Sequence, residues 1–365
     1  MPPTPLAGKT VVEFSQFIAG PTAAQLLADF GATVLKVEPA QGDGSRALAG
    51  TRHGPAYFRC FNTNKESVVV DMRAPEGAAR LGEMLAGADA LVCNLAPAGL
   101  RKLALGPDDV RTRFPHLVAT YVSGFGQDDD RTCMDTIAQC ESGFAWMNGN
   151  LGGDPRISTS WPVDFYSGLY AALSTAMALC DAKRDGGMVI DLTMMEVASA
   201  MLLAPAAVLL AEGAALGAPS GNRDRASAPS GVYACADGHV YIYAGLDPYW
   251  AALRPEIDGE DAPFAERLAR ADAFDAMVER WTGGRTVEAV LEALKRLRIP
   301  AGKVRQPAEA LSIIENLRPG GGVMRQPGGE AVPSFPALFD GARIPRRPAP
   351  ALGAINDNAT EGNAR

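Results

Sequence analysis

The chain has 365 residues, 47% of them apolar, and a formal net charge of −8. That length can bury a large core and divide into two domains, whereas the acidic balance excludes a general nucleic-acid binder, whose footprint would be basic. Six scattered cysteines without a CxxC pair and three distant histidines give no metal-ligand spacing, and the cysteines read as buried, reduced thiols of a cytoplasmic protein.

The opening MPPTPLAGKT lacks a basic-then-apolar leader pattern, and no apolar run of about 18 residues follows. A soluble protein with no membrane partner is expected. TVVEF (10–14) predicts a strand, PTAAQLLADFG (21–31) a helix with Pro at its start and Gly past its end, and TVLKVEP (33–39) a second strand. The three make a βαβ unit. Strands at 67–72, 90–94 and 117–126 alternate with helices near 75–86 and 107–114, and 188–210 supplies one more strand and a long apolar helix. This rhythm predicts an α/β fold, with a Rossmann-like large domain over 1–212 whose mainly parallel sheet is covered on both faces.

A dinucleotide site is the first thing to test in such a fold, and it fails. The turn after the first strand reads SQFIAGP, with no GxGxxG and with Pro21 where phosphate-cradling backbone is needed; no GxxxxGK[ST] occurs either. NAD-dependent hydride transfer is therefore not expected.

In WPVDFYSGLYAALSTAMALCD (161–181), Pro162 sets the helix entry, and Leu169, Leu173, Met177 and Cys180 recur at the spacing of one buried helix face. Asp164 falls at the N-cap or in the first turn, where free N–H groups and the helix dipole favour an ionised carboxylate. A plain cap and a reactive carboxylate both fit that position. Beyond it, 213–230 is rich in Gly, Ala, Pro and Ser and reads as a linker. GVYACADGHVYIYAG (231–245) is a hairpin around Asp237-Gly238, and helices near 261–281, 286–297 and 307–316 complete a smaller α+β domain over 231–317. The aperiodic, Pro-rich segment 318–365 must lie on another surface to be ordered.

Several stretches together, FSQFIAGPTAAQLLADFGATVLKVEPAQGDGSR, FNTNKESVVVDM, LVCNLAPAGLRKL, SGFGQ, the Asp164 segment, GNRDRASAPSGVYACADG and IPAGKV, resemble the class III CoA-transferase family. That family includes formyl-CoA and carnitine CoA-transferases and the α-methylacyl-CoA racemases, and the resemblance runs collinearly from Leu6 to about Val304. It implies a large domain completed by the returning 318–365 segment and an interlocked homodimer. It also implies a reaction. The Asp164 carboxylate attacks an acyl-CoA thioester, forms an acyl-aspartyl mixed anhydride with release of CoA thiolate, and passes the activation to an acceptor carboxylic acid. Coenzyme A would enter as a substrate, with no metal. The site must exclude water and offer N–H donors to the oxyanions, for which Gly20 and Gly245 are candidates.

In the family, the positions matching Lys65, Asn94, Leu95 and Lys102 hold CoA; Phe17, Arg46 and Arg101 are additional candidates for that role. Racemases pair the Asp with a His, and the matching position here is Met134, beside Asp135; a thioether has no proton to transfer. Gln139 is a candidate donor in the active-site wall. Ile18 stands where formyl-CoA transferases carry a Gln, so the Phe17/Ile18 pair implies a more apolar acyl group. The alternatives are a 2-methylacyl-CoA racemase with a different second base and a CoA-binding homologue without turnover.

Overall fold

The computed structural model describes residues 2–47, 54–181, 185–213, 219–318, 320–325 and 331–355. Parts of the expected linker (214–218) and of the C-terminal segment (319, 326–330 and 356–365) lie outside the described residues. In chain order, β1 (Thr10–Phe14), α1 (Ala19–Asp29), β2 (Thr33–Glu38), α2 (Gly54–Phe61), β3 (Glu66–Val69), α3 (Pro75–Ala86), β4 (Ala90–Cys93), α4 (Pro97–Lys102) and α5 (Pro107–Arg113) come first. They are followed by β5 (Val118–Ser123), α6 (Asp135–Glu141), α7 (Phe144–Met147), α8 (Pro162–Cys180), β6 (Met188–Thr193), α9 (Met194–Ala200) and α10 (Leu203–Glu212).

The six strands form one parallel sheet in the order β3-β2-β1-β4-β5-β6. One apolar cluster, with Leu27, Val92, Val122 and Val163, covers one face; another, with Leu81, Leu85, Leu91 and Val110, covers the other. Burial on both faces is why these strands read as continuous apolar runs. Strand order reverses between β1 and β4, and the ligand crevice of an open α/β sheet lies outside the carboxyl ends of the strands at such a reversal.

Two helix expectations need correction. The long helix expected after β6 breaks: α9 and the body of α10 run at 86° to each other. Pro205 has no N–H to give, and its ring would clash with the carbonyl of Met201, so it is accommodated only in the first turn of a new helix. Among the described residues no single helix is long and apolar enough to cross a membrane.

The second correction concerns α8. Leu173 and Met177 are 56% and 58% exposed, Leu169 and Cys180 are exposed too, and the buried face is instead Val163, Ser167, Gly168, Ala171, Ala172, Thr175, Ala178 and Leu179. The cause is the closeness of α1: a Cβ on Gly168 would sit 2.5 Å from Thr22 Cβ and 2.8 Å from the Ala19 carbonyl oxygen. Only small side chains fit there, so the large ones turn outward. The expectation of six buried thiols also fails, since Cys140 and Cys180 are exposed and only Cys93 is fully buried; all six are free.

By its internal contacts the chain divides into two compact units, one of Met1–Phe144, Ser158–Ala211 and Leu311–Arg365, the other of Ala145–Ile157 and Glu212–Ala310. The second unit holds β7 (Ser230–Cys235), β8 (Gly238–Tyr243), α11 (Asp247–Leu253), α12 (Phe264–Ala269), α13 (Ala271–Gly283), α14 (Val287–Arg296) and β9 (Ala301–Lys303). Its three strands form an antiparallel sheet, β7-β8-β9. The chain returns through α15 (Pro307–Leu317) and the small ribbon of β10 (Val323–Arg325) and β11 (Ala331–Pro333). It then lies along β3, where Arg346 pairs with Asp29, Arg347 and Asn64 exchange N–H bonds, and the Gly353 N–H donates to Ser67 Oγ at 3.0 Å.

Candidate active site

At the point where the strand order reverses, β1 ends at Phe14 and the turn Ser15-Gln16-Phe17-Ile18 leads into α1. Phe17 takes a left-handed backbone conformation, φ 65°, which a side-chain-bearing residue adopts only when its surroundings hold it there. From the β4 side Asn94 does part of the holding: the Gln16 N–H donates to Asn94 Oδ1 at 2.9 Å, and Asn94 Nδ2 donates to the Gln16 carbonyl at 2.8 Å. Gly20 serves close packing, since a Cβ there would lie 2.4 Å from Ser15 Cβ. Gly245 is in the second unit and gives its N–H to Ser230 Oγ at 3.1 Å, so that donor is spent within its own fold.

Asp164 stands in the first turn of α8, as the sequence suggested. Trp161 turns the chain with φ 51°, Pro162 opens the helix, and the Asp164 N–H donates to Asp135 Oδ2 at 3.0 Å. One helical turn further on is Gly168, the residue pressed against α1, so the close α1–α8 contact brings Asp164 up to the start of α1. There a cavity of about 290 Å³ is lined by Gln16, Phe17, Ile18, Ala19, Asn94, Leu95, Ser123, Gly124, Arg131, Cys133, Met134 and Asp164, among others. Burial, reinforced by the negative charge of Asp135, pushes the Asp164 carboxyl up to about 7. Tyr57 meets Trp161 edge to face at 5.8 Å, and burial together with the Asp164 charge pushes its phenol upward.

Of the residues singled out from the sequence, Phe17, Ile18, Asn94, Leu95, Met134 and Asp164 therefore share one cavity. Asp135 and Gln139 stand behind it. Gln139 accepts from the Ser158 N–H at 2.7 Å, donates to the Ser158 carbonyl at 2.9 Å and also donates to Asp135 Oδ1, so it braces the wall instead of lining it.

The expected cations are placed differently. Lys65 is fully buried, bonded to Glu13 Oε2, the Pro21 carbonyl and Asn62 Oδ1 at 2.7–2.8 Å. A CoA phosphate has no access to it. Burial pulls its ammonium down to about 8. Arg46 forms two 2.7 Å bonds to Glu38 and stacks 3.6 Å above the Phe58 ring, which neutralises it locally. Arg101 pairs with the exposed Asp130 and lines a polar cavity of about 580 Å³ that shares Pro97 with the Asp164 cavity, and Lys102 is exposed at the end of α4.

Two cations went unremarked in the sequence. Arg131, paired with Asp129 and Glu141, lines the Asp164 cavity, and Arg73, paired with Asp71 in the turn after β3, lines a crevice of about 330 Å³ with Glu38, Gly42, Asp43, Val70, Asp71 and Met72. Gln16 and Leu95 line both spaces. Arg73, in DMRAPEG, follows the carboxyl end of β3, the end of a strand that faces the ligand crevice in an open α/β sheet, whereas Lys65 precedes that strand. A polar cavity of about 390 Å³ in the second unit, lined by Arg156, Arg223, Tyr233 and Asp275, shares none of these residues. Among the described residues, no group of three or more His, Cys, Asp or Glu could hold a metal.

The family model described as CoA-transferase family III matches residues 6–356. The succinyl-CoA–D-citramalate CoA-transferase of Chloroflexus aurantiacus is 31% identical over 330 residues, covering 85% of this chain and 81% of that protein. The formyl-CoA:oxalate CoA-transferase of Rhodopseudomonas palustris is 28% identical, covering 82% and 78%. A crystal structure of a CAIB/BAIF family protein from Brucella suis superposes with a TM-score of 0.86 at 27% identity, over 99% of this chain and all of that one.

Proposed function

We propose a reaction for this protein on the premise that the chain belongs to CoA-transferase family III: it moves CoA from an acyl-CoA thioester to a carboxylic acid through Asp164. The observation that carries the reading is one carboxylate, at the mouth of a helix, lining a half-closed cavity at the strand-order reversal. The ionised Asp164 oxygen attacks the thioester carbonyl, the C–S bond breaks, and an acyl-aspartyl anhydride forms as CoA thiolate leaves. The thiolate then attacks the Asp164 carbonyl, releasing the donor acid. The resulting aspartyl thioester is opened by the acceptor carboxylate through the reverse sequence. A carboxylate suits this exchange because an anhydride is about as activated as a thioester, so no ATP is needed.

The residues present fit CoA as a substrate. The inner cavity and the outer crevice meet at Gln16 and Leu95, which suits a long ligand whose thiol end reaches Asp164 while its phosphorylated end lies outward by Arg73. Phe17, Ile18 and Leu95 favour an apolar acyl group. A two-base racemase is less well supported: besides Asp164, the titratable side chains lining the cavity are Arg131, which keeps its proton, and Cys133, whose thiol burial pushes up to about 11. The outward apolar stripe of α8, from Phe165 through Tyr166, Leu169, Tyr170 and Leu173 to Met177, supports burial in a homodimer of the interlocked kind. A net charge of −8, six free cysteines and the lack of a membrane-length helix among the described residues support a cytoplasmic setting.

The test is mass spectrometry after incubation with a panel of acyl-CoA thioesters and mixed carboxylic acids. Hydroxylamine-sensitive acylation of Asp164 and exchange of CoA between acids are expected. Exchange that persists in Asp164→Ala would remove the proposed nucleophile.

A further inference from the structure

Beneath the turn that carries Phe17 and Ile18 lie four charged side chains with almost no access to solvent: Glu13, Lys36, Asp43 and Lys65. Lys36 Nζ contacts Glu13 Oε1 at 2.7 Å and Asp43 Oδ2 at 2.9 Å, and Lys65 Nζ contacts Glu13 Oε2 at 2.7 Å. Two positive and two negative charges cancel. Stability alone gives little reason to keep them, because desolvating ion pairs costs several kcal/mol per ion, and well-packed apolar substitutes are often neutral or stabilising.

What the four charges do is hold backbone. Lys36 donates to the Ser15 carbonyl at 3.1 Å, Asp43 Oδ1 accepts from the Phe17 N–H at 3.3 Å, and Lys65 donates to the Pro21 carbonyl at 2.8 Å. The cluster thus grips the crossing from β1 to α1 at three points, with the left-handed Phe17 at the centre. Asp43 is itself fixed by the N–H and hydroxyl of Ser45 at 2.8 and 2.7 Å. The next residue, Gly44, backs the Phe17 ring so closely that a Cβ on it would lie 2.9 Å from Phe17 Cζ. Backbone and ring of Phe17 are therefore set by one short segment, 43–45.

We propose that the Lys36–Asp43 ion pair is a positioning element for acyl transfer, holding Phe17 in its left-handed conformation so that the Phe17–Ile18 wall stands at a fixed distance from the Asp164 carboxylate. The proposal rests on the acyl-transfer reading of Asp164. Neither residue lines the Asp164 cavity; Asp43 lines the outer crevice, but its carboxylate is engaged by Lys36, Ser45 and the Phe17 N–H. A displacement of about 1 Å in such a wall lowers turnover by about 100-fold, whereas the outer crevice by Arg73 keeps its grip on CoA.

The experiment compares wild type, Asp164→Ala, the charge-balanced double variant Lys36→Met/Asp43→Leu and the single variant Gly44→Ala in CoA exchange, with melting temperatures measured alongside. The double variant leaves the Glu13–Lys65 pair intact. It is expected to melt below wild type, because the Phe17 and Ser45 N–H groups lose their carboxylate acceptor, while kcat falls by about 10- to 100-fold, KM for the acyl-CoA changes less than kcat, and the preference among acyl chain lengths is altered. Gly44 is exposed at the start of the 3-10 helix Gly44–Ala47, and an added Cβ there meets only the Phe17 ring and no charged group. Gly44→Ala is expected to lower kcat and shift the same preference, which keeps the test open if the double variant does not fold. Wild-type kcat and unaltered chain-length preference in both folded variants, or in Gly44→Ala alone when the double variant fails to fold, would overturn the positioning role. Exchange surviving in Asp164→Ala would instead overturn the reaction itself.

Discussion

Substituting Asp135→Asn removes the negative charge nearest to the proposed nucleophile and leaves an amide oxygen able to accept the Asp164 N–H. In the wild type, burial first and Asp135 second bring Asp164 from an ordinary 3.8 to about 7. Only the ionised form attacks a thioester. The rate of enzyme acylation at low acyl-CoA should therefore rise with pH through a midpoint near 7, with about a tenth of its plateau at a pH one unit below that midpoint. The substitution removes the lesser of the two causes. The midpoint moves to lower pH but stays above 3.8, because burial persists. The difference between acid and alkaline rates shrinks accordingly. The amide also forfeits one acceptor for Gln139, which reads out as a loss of about 1 kcal/mol in fold stability and not as a change of midpoint. Rapid-quench measurement of CoA thiol release across the pH range separates the two effects. A midpoint that stays in place, or that moves upward, would refute the electrostatic account of Asp164.

The same carboxyl has a stability signature. Its folded-state value lies above its unfolded one, so ionisation opposes folding increasingly as pH rises from about 4 through 7. Asp164→Asn should raise the melting temperature at alkaline pH, an advantage that fades towards pH 4; a constant difference at every pH would contradict it. Lys65→Met should leave part of the buried Glu13 charge unpaired and cost about 3–5 kcal/mol in chemical denaturation, whereas Arg73→Ala should leave stability unchanged and weaken CoA binding roughly tenfold by calorimetry. The reverse pattern would return Lys65 to the ligand. Leu173→Asp with Met177→Asp on the outward stripe of α8 should yield monomers in analytical ultracentrifugation, and an intact dimer would place the interface elsewhere.

The strands of the parallel sheet were legible because burial on both faces writes itself into the sequence as apolar runs. Asp164 was legible because a proline-led helix start is a local signal. The orientation of α8 was not. Helical spacing fixes which residues share a face but not which face meets the core, and that choice was made by Gly168 and Thr22, on different helices, approaching to within a methyl group of each other. The fate of Lys65 was hidden for a similar reason: its partner Glu13 is 52 positions earlier in the chain and becomes adjacent only when β1 and α1 are in place. A strand-end lysine and a core lysine look alike until the partner is known.

The returning segment along β3 has a consequence for biosynthesis. Asp29 and Arg346 are separated by 317 positions, and the whole second unit is synthesised between them. At ribosomal rates of about 5–20 residues per second, Asp29 waits roughly a quarter of a minute to a minute for its cation. During that interval a carboxylate destined for burial has the Asn64 amide but no cation, and the flank of β3 has no cover. The first unit to start is thus the last to finish, and a nascent chain stalled anywhere within 212–310 would present an open sheet flank to whatever surveys unfinished proteins.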